Sequence, residues 1–185
     1  MSKFFLVLFL FSSLALFGQT ADPAPEKTAA FDPVPGGFDG IDLGLSLKDV
    51  KDKLKENDNF YYTGDPDVSL QARPNESALD IEGVGYVYRG IFQFHEDSLY
   101  IITVMLDPEK MDHYSIFTHL TEKYGPPESF SPSKAVWRRD GVLMVLERPV
   151  NIKYIDEETF NKIVEAGETE QSLESELRRD FIDQF

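Results

Sequence analysis

Three histidines are the residues whose side chains could most readily carry acid–base or metal chemistry: His95, His113 and His119. His95 opens the run His95-Glu96-Asp97-Ser98, but a short polar run between two apolar segments is also typical of a hairpin turn. His113 and His119 are six positions apart, whereas a zinc pair on a helix needs a spacing of about four residues. The sequence therefore predicts no metal site at these histidines.

A serine and a lysine also match a catalytic signature by letters. Ser131-Pro132-Ser133-Lys134 has the spacing S-x-x-K of serine acylases, whose serine begins a helix and whose lysine lies one turn later. Pro132 and the strand predicted next exclude that turn. G-x-S-x-G, H-E-x-x-H and Gly-rich phosphate loops do not occur in the chain. We therefore predict a protein that is not an enzyme and holds no cofactor. The alternative is a small hydrolase or small-ligand carrier whose site is assembled from scattered residues.

A loop rich in aromatic residues is the candidate binding site. It contains Phe60, Tyr61 and Tyr62, followed by Asp65 and Asp67. The two aspartates form only a fragment of a calcium loop, which needs more acids at fixed spacing. Neighbouring side chains on extended backbone point in opposite directions, so at least one of the three rings is expected in solvent. Exposed tyrosines are common at protein interfaces, and the aspartates would favour a partner with a basic surface. Alternatively, Phe60 and one tyrosine close the core while the other tyrosine lies on the surface.

Charge and cysteine content exclude several classes of function. The chain has 33 acidic residues against 18 lysines and arginines, and its net charge is −15. Such a charge repels nucleic-acid phosphates and anionic lipids, so we predict no nucleic-acid binding. The absence of cysteine excludes disulfides, thiolate metal sites and cysteine nucleophiles.

The first 20 residues have the pattern of a secretory signal peptide. Lys3 precedes an apolar run from Phe4 to Phe17 that is interrupted by two serines. This run is shorter than the ~20 residues of a membrane-spanning helix. We therefore predict cleavage, a periplasmic or secreted location and no transmembrane span in the mature protein. An uncleaved anchor helix is the alternative.

The mature chain divides into three predicted segments. Residues 21–40 are rich in proline, alanine and glycine and predict a flexible leader. Residues 41–167 contain the apolar periodicity of a folded α+β domain. Residues 168–185 carry Leu173, Leu177 and Phe181 four positions apart, which predicts a C-terminal amphipathic helix.

Within the domain, a helix followed by strands occurs twice. We predict a helix over 47–56 that begins at the cap residue Ser46, and a second that begins between Pro108 and His113 and ends before Gly125. A polar turn is predicted at His95-Glu96-Asp97-Ser98, and a tight hairpin turn at Arg139-Asp140-Gly141. The predicted strands are 68–72, 84–88, 91–94, 99–106, 135–137, 142–146 and 150–155. Trp137 is expected in the core.

The repeated order predicts one antiparallel sheet built from two αβββ units, with their helices on one face. A short helix that begins at Asp156 and ends at Gly167 is expected after the last strand. Together with residues 168–185, this helix gives the fold its predicted C-terminal helices.

Two segments resemble known small exported domains. They are Gly44-Leu45-Ser46-Leu47-Lys48-Asp49-Val50 with Leu54, and Leu120-Thr121-Glu122-Lys123-Tyr124-Gly125-Pro126-Pro127 before the strand that bears Trp137. Their helix-then-strands pattern is similar to β-lactamase-inhibitor-like folds and to the small lipoprotein subunit of the outer-membrane barrel-assembly machine. The resemblance implies a domain that binds other proteins and performs no chemistry. We therefore predict an exported, non-enzymatic protein-interaction module of the periplasm or cell envelope, with an unidentified protein partner.

Overall fold

The computed structural model describes residues 31–64, 68–70 and 75–167. The predicted signal peptide over 1–20, the first half of the predicted leader and the helix predicted over 168–185 lie outside these residues. The described helices are α1 (Leu47–Lys55), α2 (His113–Tyr124) and α3 (157–167). The strands of the first half are β1 (Gly37–Phe38), β2 (Ile41–Asp42), β3 (Val68–Leu70), β4 (Glu76–Glu82), β5 (Val87–His95) and β6 (Ser98–Leu106). Those of the second half are β7 (Ser129–Phe130), β8 (Lys134–Arg139), β9 (Val142–Glu147) and β10 (Asn151–Asp156).

One antiparallel sheet of eight strands forms the frame, in the order β3-β4-β5-β6-β10-β9-β8-β7. Strands β3 to β6 follow α1 and strands β7 to β10 follow α2, so the two halves repeat one order of elements. The halves meet at β6 and β10, which pair antiparallel at the centre of the sheet. The structure thus confirms the α+β class and the antiparallel sheet, but each half has four strands instead of three.

The observed strands differ from the predicted strands in both halves. Strand β4 was missed, and β7 is a two-residue edge strand. In place of the predicted strands 84–88 and 91–94 there is one continuous strand, β5, which begins only at Val87 and in which Gly90 makes no turn. A Cβ atom at Gly90 would clash with the Phe60 ring, so this glycine permits close packing.

Local hydrogen bonds fix where the helices begin. The backbone N of Asp49 donates to Ser46 Oγ at 3.1 Å, and Ser46 Oγ donates back to Asp49 Oδ2 at 2.7 Å. Asp112 caps α2 by accepting from the backbone N of Ser115 at 2.9 Å. At α3, Asp156 accepts from the backbone N of Thr159 at 2.8 Å, as predicted.

The two predicted tight turns are confirmed. Glu96 and Asp97 have φ angles of 50° and 62°, and Asp140 and Gly141 have φ angles of 51° and 79°. Two successive positive φ angles define the turn whose twist matches that of the strands it joins. The second turn sets the register of the β8–β9 hairpin, whereas in the β5–β6 hairpin the register set at the turn shifts between Phe94 and Gln93.

The core lies between the sheet and helices α1 and α2. One row of register partners crosses the sheet on this side, and it consists of Trp137, Met144, Tyr154, Ile102, Phe92 and Leu79. Val50 and Leu54 of α1 and Leu120 of α2 belong to the same buried cluster. Trp137 is 2% exposed, and its Nε1 donates to the carbonyl of Gly125 at 2.8 Å. Its predicted place in the core is confirmed.

The domain begins earlier than predicted. The backbone N of Asp32 donates to the carbonyl of Lys123 at 2.9 Å, and that of Leu43 donates to Gly36 at 2.9 Å. Val34 and Phe38 pack against the core. Residues 31–40 therefore belong to the folded domain and not to a flexible leader, because these two apolar side chains bury surface among prolines and glycines.

Candidate functional site

The face of the sheet opposite α1 and α2, here called the open face, carries an apolar groove. Side chains alternate between the two faces of a strand, so the residues between the core positions point to the open face. They form three rows across strands β8, β9, β10, β6, β5 and β4. The middle row consists of Val136, Val145, Lys153, Thr103, Ile91 and Asp80. The row on one side of it consists of Arg138, Leu143, Ile155, Ile101, Gln93 and Ala78. The row on the other side consists of Lys134, Glu147, Asn151, Met105, Arg89 and Glu82.

The middle of the open face is a groove of about 670 Å³. Its apolar lining consists of Ile91, Ile101, Met105, Val136, Leu143, Val145, Ile155 and Phe160. An antiparallel sheet with helices on one side commonly presents polar residues on the other. This sheet carries apolar side chains on both faces of its central strands, and an apolar groove lined by half-buried side chains is a place where another molecule can bind.

Charged side chains surround and cross the groove. Lys153 Nζ lies 2.7 Å from Glu147 Oε2, and both side chains are about one-third exposed. Arg138 forms ion pairs with Glu128 and with Glu157 of α3, and Arg89 pairs with Asp80. Lys153 lies in the middle row between Val145 and Thr103, so one ion pair crosses the groove while the pairs of Arg138 and Arg89 lie towards its ends.

The charge of the groove differs from that of the whole chain. Its charged lining residues are three cations, Lys134, Arg138 and Lys153, and two carboxylates, Glu128 and Glu147. The chain as a whole has 33 acids against 18 bases. Arg138 and Lys153 are already paired with carboxylates, so Lys134 is the groove cation that remains to attract an acidic group of a ligand.

A second groove of about 540 Å³ adjoins the first at one end of the sheet. Met105 lines both grooves, and Tyr88, Pro108, Pro149 and Asn151 line the second. The Tyr88 side chain is 63% exposed. The open face thus continues into a surface that carries an exposed aromatic ring.

The structure separates the residues of the predicted binding loop. Phe60 is buried, where its ring makes edge-on contacts with Phe38 and Phe92 at centroid distances of 6.1 and 5.4 Å. Tyr62 is partly buried against the core. Of the three aromatic residues in this loop, Tyr61 is the exposed one, at 65%.

Tyr61 lies at the end of β4, where its backbone N donates to Glu82 O at 2.9 Å. The neighbouring Val84 is also exposed, and its backbone N donates to Asn59 O at 2.9 Å. Asp65 and Asp67 lie outside the described residues. The structure thus offers Tyr61 to a partner, and the acidic edge predicted beside it stays a prediction.

Sequence reasoning missed the open face, although two strands carry its signal. In β6, Leu99, Ile102 and Val104 belong to the buried cluster while Ile101 and Met105 line the groove. β9 likewise has apolar residues in both of its alternating sets. Strands that are apolar on both sides predict a sheet covered on both faces. Since the sequence predicts helices on one face only, this pattern implies that something else covers the other face of the sheet.

In the described part of the chain, the residues that the sequence offered for catalysis or metal binding are not gathered into one site. Burial lowers the pKa of His113, and the charge of Arg148 adds to this effect while Asp112 opposes it. Ser131 and Lys134 close a turn, because the backbone N of Ser131 donates to Lys134 O at 2.8 Å. Within residues 31–64 and 75–167, no group of three or more metal-binding side chains is found. The described helices include none long and apolar enough to cross a membrane.

Comparison with known proteins gives one match. The family model of the TP0088 domain matches residues 36–166, which include both helix-and-strand halves and most of α3. Neither a curated protein nor a solved structure matches the chain.

Proposed function

This chain belongs to the TP0088 domain family, and we propose that it is an exported, non-enzymatic module that binds another protein through the open face of its sheet. The observation that carries the proposal is the apolar-lined groove on this face, which the described helices α1 and α2 leave uncovered because they pack on the other side. Burial of apolar surface is the main favourable term in protein association, at about 25 cal/mol per Å².

The shape of the open face favours a protein as its ligand. The six strands that form the three rows span about 24 Å, at ~4.8 Å between neighbouring strands. Polar and charged side chains are spread along the rows and do not converge on one point. A helix or strand of a partner could lie across such a surface.

A small-ligand carrier is the second candidate. The groove volume of about 670 Å³ is within the ~300–1,000 Å³ of small-molecule sites. Carriers of this kind enclose most of their ligand, whereas this groove lies along one face of a sheet. The geometry therefore supports a protein ligand better.

Export rests on the N-terminal sequence. Lys3 and the following apolar run match the composition of a signal peptide. Replacing Lys3 by Glu and interrupting the run with Leu8→Arg is expected to retain the protein in the cytoplasm. Cell fractionation measures this, and a periplasmic or secreted double variant would contradict export through this segment.

Binding is tested with the mature protein carrying an affinity tag, incubated with an envelope extract. The proteins it captures are compared with those captured by the double variant Ile101→Gln and Ile155→Gln, which makes the centre of the open face polar. We expect one or more proteins to be retained by the wild type and lost from this variant.

The matched control is Tyr114→Gln, because Tyr114 is an exposed aromatic residue on α2, away from the open face. Tyr61→Ala tests separately whether the exposed tyrosine beside β4 belongs to the binding surface. Thermal melting confirms that each variant is folded. Unchanged capture by the folded Ile101→Gln and Ile155→Gln variant would refute binding through the open face.

A further inference from the structure

The last described helix brings the chain onto the open face. Glu157, at the start of α3, forms an ion pair with Arg138 of β8, and its backbone N donates to Gly141 O at 3.0 Å. One turn later, Phe160 lines the groove together with Ile155. The chain therefore leaves the sheet on the side that α1 and α2 do not cover.

The apolar side of α3 extends the apolar surface of the groove. Phe160 is 37% exposed, and Val164, one turn further, is 41% exposed. Four positions apart, these two side chains lie on one side of the helix and offer apolar surface to a further segment. Beyond Gly167, the sequence supplies Leu173, Leu177 and Phe181 at intervals of four residues.

The charge of the segment after Gly167 complements that of the groove. Residues 168–185 contain six carboxylates and two arginines. Three cations and two carboxylates line the groove, and Lys134 is the cation that the ion pairs of Arg138 and Lys153 leave for a carboxylate of this segment. Opposite charges across an interface select the partner and its orientation more than they raise the affinity.

The length of this segment is also sufficient. Eighteen residues follow Gly167, and as a helix they would be about 27 Å long. The six strands of the open face span about 24 Å. A helix of this length that starts near α3 could cross the groove.

We propose that residues 168–185 dock on the open face, with Leu173, Leu177 and Phe181 on the apolar groove. This inference rests on the proposed function, since the segment occupies the surface assigned there to a partner. The C-terminal segment then acts as an internal competitor, and a partner must displace it. A ligand tethered in this way needs only a modest affinity, because its effective concentration is in the millimolar range.

The test uses the absence of cysteine from the chain. Gln93→Cys places a single thiol on the groove of the full mature protein, and its rate of alkylation by a soluble maleimide is measured. The same thiol is measured in a protein that also carries Leu173→Ser, Leu177→Ser and Phe181→Ser. If the docked state holds about 90% of the molecules, alkylation is about tenfold faster when the three apolar residues are replaced.

Lys53→Cys on the exposed outer side of α1 is the matched control, and its thiol is expected to react equally with both C-terminal sequences. The emission of the buried Trp137 shows that each protein is folded. Equal rates at position 93 would overturn the proposal. Protection that disappears on dilution would also overturn it, because the occupant would then be a second copy of the chain.

The two proposals fail separately. If the thiol at position 93 is protected but Ile101→Gln with Ile155→Gln leaves partner capture unchanged, the segment docks on a face that binds no partner. If capture depends on the open face but the thiol is equally reactive in both proteins, only the docking of residues 168–185 is wrong.

Discussion

Trp137 links two parts of the fold that are distant in the chain. Its indole packs beside Phe117 of α2, at a centroid distance of 6.2 Å, and its Nε1 donates to the carbonyl that ends this helix. Trp137→Ala removes both contacts and leaves a cavity, so we expect it to lower the free energy of unfolding by about 3–5 kcal/mol.

Trp137→Phe separates the two contacts. The ring is largely kept, but the Gly125 carbonyl loses its buried donor, at about 1–3 kcal/mol. Denaturant titration measures both changes. A native emission spectrum typical of water-exposed tryptophan, or a change below about 1 kcal/mol for Trp137→Ala, would contradict this assignment.

His113 makes stability depend on pH in a defined direction. Burial lowers its pKa in the folded state, so between this value and about 6.5 the unfolded chain binds the proton more readily. The contribution of neutral His113 to the free energy of unfolding is complete above about pH 6.5. It is lost as the pH falls from about 6.5 through the pKa of His113 in the folded state.

The pH effect is measured by thermal melting between pH 7.5 and pH 5. His113→Gln is expected to reduce the loss of melting temperature on acidification. A loss in His113→Gln equal to that of the wild type would show that other groups govern the acid response.

At the scale of elements, the start of α2 rests on one side chain. Asp112 accepts from the backbone N of Ser115 at 2.9 Å and from its Oγ at 2.6 Å. Asp112→Ala is expected to lower the free energy of unfolding by about 1 kcal/mol. Asp112→Ser, which can still cap the helix, is expected to change it by less. Equal losses in the two variants, measured by denaturant titration, would show that the cap is not what stabilises this end.

Much of the element pattern could be predicted because it depends on neighbouring residues. The caps at Ser46 and Asp156 and the turns at Glu96-Asp97 and Asp140-Gly141 are local features, and each is present. Strand β4 was missed because Glu76, Asp80 and Glu82 disfavour strands, although Leu79 and Ile81 show the period of two.

The open face could not be predicted in the same way. An apolar strand has side chains on both faces of the sheet. The face that becomes covered depends on where the helices pack, and that is a property of the whole fold. Of the predicted site, Tyr61 is on the surface, while Phe60 is in the core because Gly90 makes room for its ring. Ile101 and Ile155 meet on the open face only because β6 pairs with β10, which lies about fifty residues later in the chain.

At the scale of the molecule, residues 31–36 link the start of the described domain to the end of α2. Removing residues 22–37 deletes Val34 and the hydrogen bonds of Asp32 and Gly36, so we expect the melting temperature to fall by at least about 5 °C. Removing residues 22–30 alone, which contain no large apolar residue, is expected to leave it unchanged. Equal melting temperatures for the two deletions would contradict the earlier start of the domain.

The central pairing of β6 with β10 has a consequence for how the chain can be divided. Each half is a continuous stretch of sequence, and the halves are connected by the short segment between β6 and α2. A cut between Pro108 and Met111 would yield two fragments, each with an unpaired strand whose natural partner is on the other fragment. We expect the separately produced fragments to reassemble through this strand pair when mixed, as a split protein does. Each fragment alone would be prone to self-association along the same edge.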